Sequence, residues 1–184
     1  SASVIKKSFF SKRPLPSHKG SFGHVLLVGG SADKPGAILM SGRAALRTGA
    51  GLVTVALPAQ AFRKVSKGFL ELMYAPFSSL KQIPKILKGK SVVAIGPGLG
   101  VNRKTRALVQ YLLKKVMLPI ILDADGLNVL GRQPNFPRER EIVLTPHVGE
   151  MSRLSGRSIA WIQKHREKIA KEFAPRPFLP LPGV

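Results

Sequence analysis

Short, unbroken apolar runs alternate along this chain with longer segments in which apolar residues recur at helical spacing. The runs His24–Val28, Leu52–Leu57, Val92–Ile95, Pro119–Asp123 and Glu141–Leu144 are continuous, the mark of strands buried on both faces. Gly36–Thr48, Arg103–Val116, Val148–Leu154 and Ser158–Phe173 read as helices. In the last of these, Ile162, Ile169 and Phe173 share one face at spacings of seven and four residues. Strand–helix alternation builds βαβ units, so the expected fold class is α/β, a mostly parallel sheet flanked by helices. Phe69–Pro84 is interrupted by proline and predicts a loop or an edge element. No internal repeat is visible.

Four of the strands run directly into polar turns. Gly29-Gly30-Ser31 with Pro35-Gly36-Ala37 follows the first, and Gly96-Pro97-Gly98-Leu99-Gly100 follows Val92–Ile95. Asp123-Ala124-Asp125-Gly126-Leu127-Asn128 and Thr145-Pro146-His147-Val148-Gly149-Glu150 end the last two. In an open α/β sheet, ligands bind in the crevice beyond the carboxyl ends of the strands, so these loops form the candidate site. Gly30, Ser31 and Gly36 open a helix whose free N–H groups suit a phosphate. Gly98 and Gly100 suit phosphate or pyrophosphate contact through backbone donors. Either glycine loop, taken alone, is also consistent with a ligand-free tight turn.

Asp123 and Asp125, with Asn128 three residues on, can bond substrate hydroxyls or hold Mg²⁺; Asp125 is equally suited to capping a helix. Thr145 or His147 suits an N-cap as well, and Glu150 suits a first helical turn. There is no Gly-x-Gly-x-x-Gly fingerprint. Gly89-Lys90-Ser91 is no Walker loop, because Pro84 occupies the first glycine position and a strand follows.

Composition narrows the class. With 184 residues and 44% hydrophobic content, the chain is long enough for one domain with a sizeable core. Its apolar runs fall far short of the ~20 residues that span a bilayer, so no membrane partner is expected. The first residues carry neither an initiator Met nor an apolar stretch fit for a secretory signal, and read as an excised or processed segment. No cysteine is present, which suits a cytoplasmic protein. Thirty Lys+Arg against nine Asp+Glu give a net charge of +21, a field that attracts anions of any size. The cations are scattered and no aromatic stripe accompanies them, so nucleic acid is an unlikely primary partner. Residues 1–17 read as a basic linker or arm. Residues 175–184, with four prolines in ten positions, form a proline-rich tail, either natural or the product of an abnormal end.

Taken together, the motifs resemble the carboxy-terminal domain of the YjeF family, the ADP/ATP-dependent NAD(P)H-hydrate dehydratases. The residues that carry the likeness are His18-Lys19-Gly20-Ser21-Phe22-Gly23, the glycine turn through Pro35-Gly36-Ala37, and Ala44-Ala45-Leu46-Arg47-Thr48-Gly49-Ala50-Gly51-Leu52-Val53-Thr54-Val55. Ile95-Gly96-Pro97-Gly98-Leu99-Gly100, Leu122 through Asn128, and Leu144 through Glu150 complete it. Each motif is weak alone, but six in the family's order across residues 18–174 are specific.

The resemblance implies a ribokinase-like fold and a repair reaction. Hydrated NADH or NADPH is phosphorylated by ADP or ATP, with Mg²⁺, and then eliminates phosphate. It implies that Ala37, Gly98, Gly100 and His147 contact the hydrated nucleotide, while Asp123, Asp125, Asn128 and Glu150 organise the site. It also implies an epimerase domain or partner.

The family pattern continues with a Lys-Gly strand and a glycine-rich loop ending in Gly-Asp that supplies the catalytic base. That motif is not among these 184 residues, so the catalytic residue is unknown and the domain reads as partial, truncated on its carboxy-terminal side, with impaired activity. Missing strands would leave a sheet edge open and favour homo-oligomers or marginal stability. The competing readings are a ribokinase-like small-molecule kinase and a non-catalytic binder of anionic ligands.

Overall fold

A computed structural model describes Pro16 and residues 19–65, 69–137 and 141–174. The arm, apart from Pro16, the proline-rich tail and His18 lie outside the described residues. The chain order is β1 (His24–Val28), α1 (Gly36–Arg47), β2 (Leu52–Pro58), α2 (Ala59–Phe62), β3 (Met73–Phe77), α3 (Ile83–Leu87) and β4 (Val92–Ile95). There follow α4 (Arg103–Lys115), β5 (Ile120–Leu122), α5 (Asp125–Asn128), β6 (Ile142–Leu144), α6 (Val148–Ser155), α7 (Ile159–Lys164) and α8 (Arg166–Phe173).

The six strands form one sheet in the order β3-β2-β1-β4-β5-β6, and every pair is parallel. The chain winds outward from β1 to β3, then crosses back to lay β4 on the other side of β1. The strand order therefore reverses between β1 and β4, which opens a crevice at their carboxyl ends.

The continuous apolar runs are explained by helices on both faces. Leu26, Val28, Ala56, Val93, Ile95 and Leu122 pack with Leu108, Val109 and Leu112 of α4. Residues of opposite parity, Leu27, Val53, Val55 and Leu57, pack with Ile38 of α1 and Ala61 of α2. Each such side chain contributes about 1.5–3 kcal/mol on burial. Asn102 sets where α4 begins, its side chain accepting from the N–H groups of Lys104 and Thr105.

Two expectations from the sequence are refined by the fold. Phe69–Pro84 contains an ordered edge strand, β3, paired only to β2. Pro76 is tolerated inside it because an edge strand can spare an N–H. A capping box between Ser79 and Gln82 then starts the turn that leads into α3.

The single helix expected over Ser158–Phe173 is two helices, broken at His165 with φ −129° and ψ 39°. The His165 ring stacks on Trp161 at 4.3 Å between centroids, and its Nδ1 lies 2.8 Å from the Trp161 carbonyl. That local bonding competes with continuation of the helix. The bend still leaves Ile162 and Ile169 buried against Met151, with Phe173 packed on them.

Candidate functional site

The crevice is closed by loops that approach one another at backbone distance. The Gly30 N–H donates to the Pro97 carbonyl at 2.8 Å, locking the β1 loop to the β4 loop. Gly96 has φ 137°, and a Cβ there would overlap the Asp123 carbonyl. Gly98 has φ 71°, and a Cβ would sit 2.6 Å from the Lys34 carbonyl and 3.4 Å from the Ala37 Cβ. Only glycine meets both demands, a positive φ and a neighbour where a side chain would be. Ala37, Gly98 and Gly100, named from sequence, thus stand on adjoining loops.

The acids sew the remaining loops to this pair. Asp125 Oδ2 accepts from the Gly100 N–H at 2.8 Å, and its Oδ1 lies 3.5 Å from Asn128 Nδ2. Arg153 Nε donates to Asn128 Oδ1 at 3.0 Å, which ties α6 to α5. The Thr145 hydroxyl lies 2.9 Å from Asp123 Oδ1 and 3.2 Å from the Leu122 carbonyl, joining β6 to β5. Between the two acids, Ala124 adopts φ 46° and ψ −120°. That conformation costs an L-residue on the order of 1–3 kcal/mol and makes a sharp strand-to-helix turn. Asp125 is the first residue of α5 and no side chain caps that helix, so the capping role considered for it is not the one it plays.

His147 does serve as an N-cap. Its Nδ1 accepts from the N–H groups of Gly149 at 3.0 Å and Glu150 at 3.4 Å. Glu150 closes the box: Oε2 accepts from the His147 N–H at 2.9 Å, and Oε1 faces His147 Nε2 at 3.2 Å. With Nδ1 an acceptor, the ring proton sits on Nε2. Glu150 is buried, only 4% exposed, whereas the His147 side chain is exposed. A ligand could reach the imidazole, whereas Glu150 is covered.

The opening of α1 is the least occupied part of the rim. Pro35 precedes it without a side-chain cap, a Cβ on Gly36 would meet nothing within 4 Å, and Gly36 and Ala37 are exposed. Ser31 Oγ accepts from the Lys34 N–H at 3.2 Å and shapes this turn. Among the described residues no three His, Asp or Glu side chains converge on a metal position. Asp123 and Asp125 offer the donor set of a Mg²⁺ that keeps most of its waters and shares oxygens with phosphates, which is how this ion is commonly held. Arg153 and the Pro97 carbonyl are parts of the site that sequence reasoning did not single out, and Thr145, considered there as a cap, bonds Asp123 and leaves the cap to His147. Thr145 lay inside a recognised motif, but its partner is 22 residues away in sequence.

A parallel sheet of this order, with glycine loops interlocked at its reversal point, defines an open α/β protein of the class that binds ligands beyond the carboxyl ends of its strands. The profile of the NAD(P)H-hydrate dehydratase family matches residues 25–176, and the chain belongs to that family. A bifunctional NAD(P)H-hydrate repair enzyme from Dictyoglomus turgidum is 38% identical over 170 residues, covering 86% of this chain and 33% of that protein. A ribokinase-like superfamily protein from Enterococcus faecalis superposes with a TM-score of 0.77 at 26% identity, over 94% of this chain and 62% of its own. The ADP/ATP-dependent NAD(P)H-hydrate dehydratase of Bacillus subtilis, co-crystallized with ATP/Mg²⁺, superposes with a TM-score of 0.74 at 30% identity, over 91% and 59%. The chain thus spans about a third of the bifunctional relative and three fifths of these solved structures. The fold is ribokinase-like.

Proposed function

We propose that this chain carries the substrate side of an ADP/ATP-dependent NAD(P)H-hydrate dehydratase, a carbon–oxygen lyase that repairs hydrated NADH and NADPH. The observation that carries the reading is the interlocked pair of glycine loops at the reversal point, fastened to the acid loop by Asp125 and Gly100. The N–H groups of Gly36 and Ala37 would hold the pyrophosphate of the dinucleotide, with the α1 dipole favouring its charge. Gly98, which carries no side chain, would let the ligand approach the loop whose Leu99 and Gly100 N–H groups are already bonded to Gly96 and Asp125. The exposed imidazole of His147 would meet the hydrated ring, held in one tautomer by Gly149 and Glu150.

ADP or ATP supplies the phosphoryl group. A Mg²⁺ arriving with the nucleotide would take oxygen ligands from Asp123 and Asp125. Transfer of the terminal phosphoryl to the hydrate hydroxyl would release AMP from ADP, or ADP from ATP, together with the hydroxyl proton. Elimination of inorganic phosphate with loss of a ring proton would restore the ring double bond. The step requires a base within hydrogen-bond reach of that hydroxyl. The residues named here are committed to loop contacts, and the Gly-Asp motif that the family resemblance assigns to this role is not among the 184. These residues by themselves are therefore expected to bind the hydrate and to turn it over weakly or not at all.

An epimerase domain or partner acting on the same substrate agrees with the bifunctional description of the Dictyoglomus relative. The outer edge of β6 has no strand beside it among the described residues, and Val143 on it is exposed, so self-association along this edge is expected at high concentration. No helix among the described residues is long and apolar enough to cross a membrane.

The test is recovery of NADH absorbance from hydrated NADH with Mg²⁺ and either ADP or ATP, alongside equilibrium binding of the hydrate. Binding without recovery is the expected result. Nucleotide-dependent recovery would establish the activity and remove the expected impairment. A folded chain that fails to bind the hydrate would overturn the reading.

A further inference from the structure

The amino ends of β2 and β3 border a separate cavity of about 380 Å³, on the opposite side of the sheet edge from the glycine loops. Its lining includes Thr54, Met73, Gln82, Lys85, Ile86 and Lys90. The surrounding sequence is cationic: Lys81, Lys85, Lys88 and Lys90 fall within ten residues, and residues 72–122 contain no Asp or Glu. Among the described residues neither Lys85 nor Lys90 has a carboxylate within ion-pair distance.

Lys90 is half-buried, and among the described residues its ammonium donates to the Lys88 carbonyl at 3.4 Å. Burial holds its pKa below the ordinary lysine value. His24, whose Nε2 lies 2.7 Å from the Thr54 hydroxyl, is also lowered, first by burial and then by the charge on Lys90. Two cations therefore line one cavity, and His24, bonded to the Thr54 of its wall, adds no counter-charge.

Gln82 adds donors. Its Oε1 accepts from the N–H groups of Ser78 at 2.7 Å and Ser79 at 3.2 Å, which leaves the amide N–H₂ for another partner. Met73, Ala75 and Ile86 make the remaining wall apolar.

We propose that this cavity is a second ligand site and takes a phosphate monoester with an apolar stem. Two lysine point charges match a doubly charged phosphate, whereas a planar carboxylate is better served by an arginine fork. The site is independent of the crevice at the carboxyl ends and of the dehydratase reading.

The 184-residue chain is titrated with phenyl phosphate at fixed ionic strength and followed by amide NMR shifts. Inorganic phosphate, benzoate and benzyl alcohol serve as comparison probes. Shifts are expected at Thr54, Met73, Lys85 and Lys90, with a binding curve separate from that of any shifts at Gly98–Gly100. Phenyl phosphate should bind more tightly than inorganic phosphate or benzoate, and benzyl alcohol should not bind. K85Q/K90Q should weaken phenyl phosphate about tenfold or more, as expected for loss of two charge-assisted bonds. K114Q/K115Q, an equal loss of charge on exposed α4, should not. Should the double variant fail to fold, K85Q on the exposed side chain should still weaken binding and K85R should restore it. Shifts confined to the glycine loops, equal weakening by K114Q/K115Q, or benzoate bound as tightly as phenyl phosphate would each overturn the proposal.

Discussion

At their carboxyl ends the strands of this sheet run into loops that bind one another, whereas at their amino ends β2 and β3 border a cavity faced by cations. The first region uses Asp123, Asp125 and Glu150, three of the chain's nine carboxylates, as fasteners whose oxygens accept from Thr145, Gly100, Asn128 and His147. The second has Lys85 and Lys90 without carboxylate partners among the described residues. On the two proposals made above, the regions would meet an anion in different ways. One would offer the N–H groups that open α1, beside loops fastened by acids. The other would offer two lysine side chains that line one cavity and have no carboxylate partner among the described residues.

The largest effect that could break the first arrangement comes from Gly96→Ala. The added methyl overlaps the Asp123 carbonyl and requires a positive φ, so a loss on the order of 3 kcal/mol or more is expected. Urea unfolding measures it, and a wild-type midpoint would show that the loops are not interlocked as described. Asp125→Ala leaves the Gly100 N–H without its acceptor and should cost about 1–3 kcal/mol, together with most hydrate affinity. Asp125→Asn retains an acceptor oxygen and should recover most of the stability, which separates the fastening role from the charge.

A smaller effect is expected from His147→Ala, about 1 kcal/mol from loss of the cap on α6. If the imidazole also meets the substrate, hydrate affinity should fall further than stability does. His147→Asn, another good N-cap, should then restore the stability and not the affinity.

The smallest effect sharpens the amino end. Because burial and then Lys90 hold the folded His24 pKa below 6.5, the unfolded chain protonates first as the pH falls through that value. Stability therefore declines on the acid side of 6.5, and no such loss exists above it. His24→Gln should make that decline shallower in urea melts taken across the range. An unchanged slope would show that His24 is not held neutral beside Lys90.

Much of this was legible along the chain. Five of the six strands and three of the longer helices fall within one or two residues of where their periodicity predicts them. Burial on both faces writes itself into unbroken runs such as Leu52–Leu57, and Asn102 marks the start of its helix by a local bond. Glycines at Gly96, Gly98 and Gly100 announced a tight loop because positive φ and close approach leave few other residues. β3 was harder to read because Pro76 and exposed Met73 break the pattern of a buried strand, and an edge position permits both. The break at His165 depends on an aromatic ring finding its neighbour's carbonyl, which no periodicity encodes.

By itself the sequence determined the order of five strands and the longer helices, the four polar loops and their membership of one family, because each rests on local spacing or on residue types that few alternatives can replace. Which loops touch was decided only by the tertiary structure. Asp125 became a fastener and not a cap because the pairing of β4 with β5 laid Gly100 beside it. Lys85 and Lys90 came to face one cavity because β3 and α3 folded across the amino ends of the sheet. Hydrogen bonds and charge pairs act over a few ångströms, and only the folded path of the chain brings residues far apart in sequence within that range.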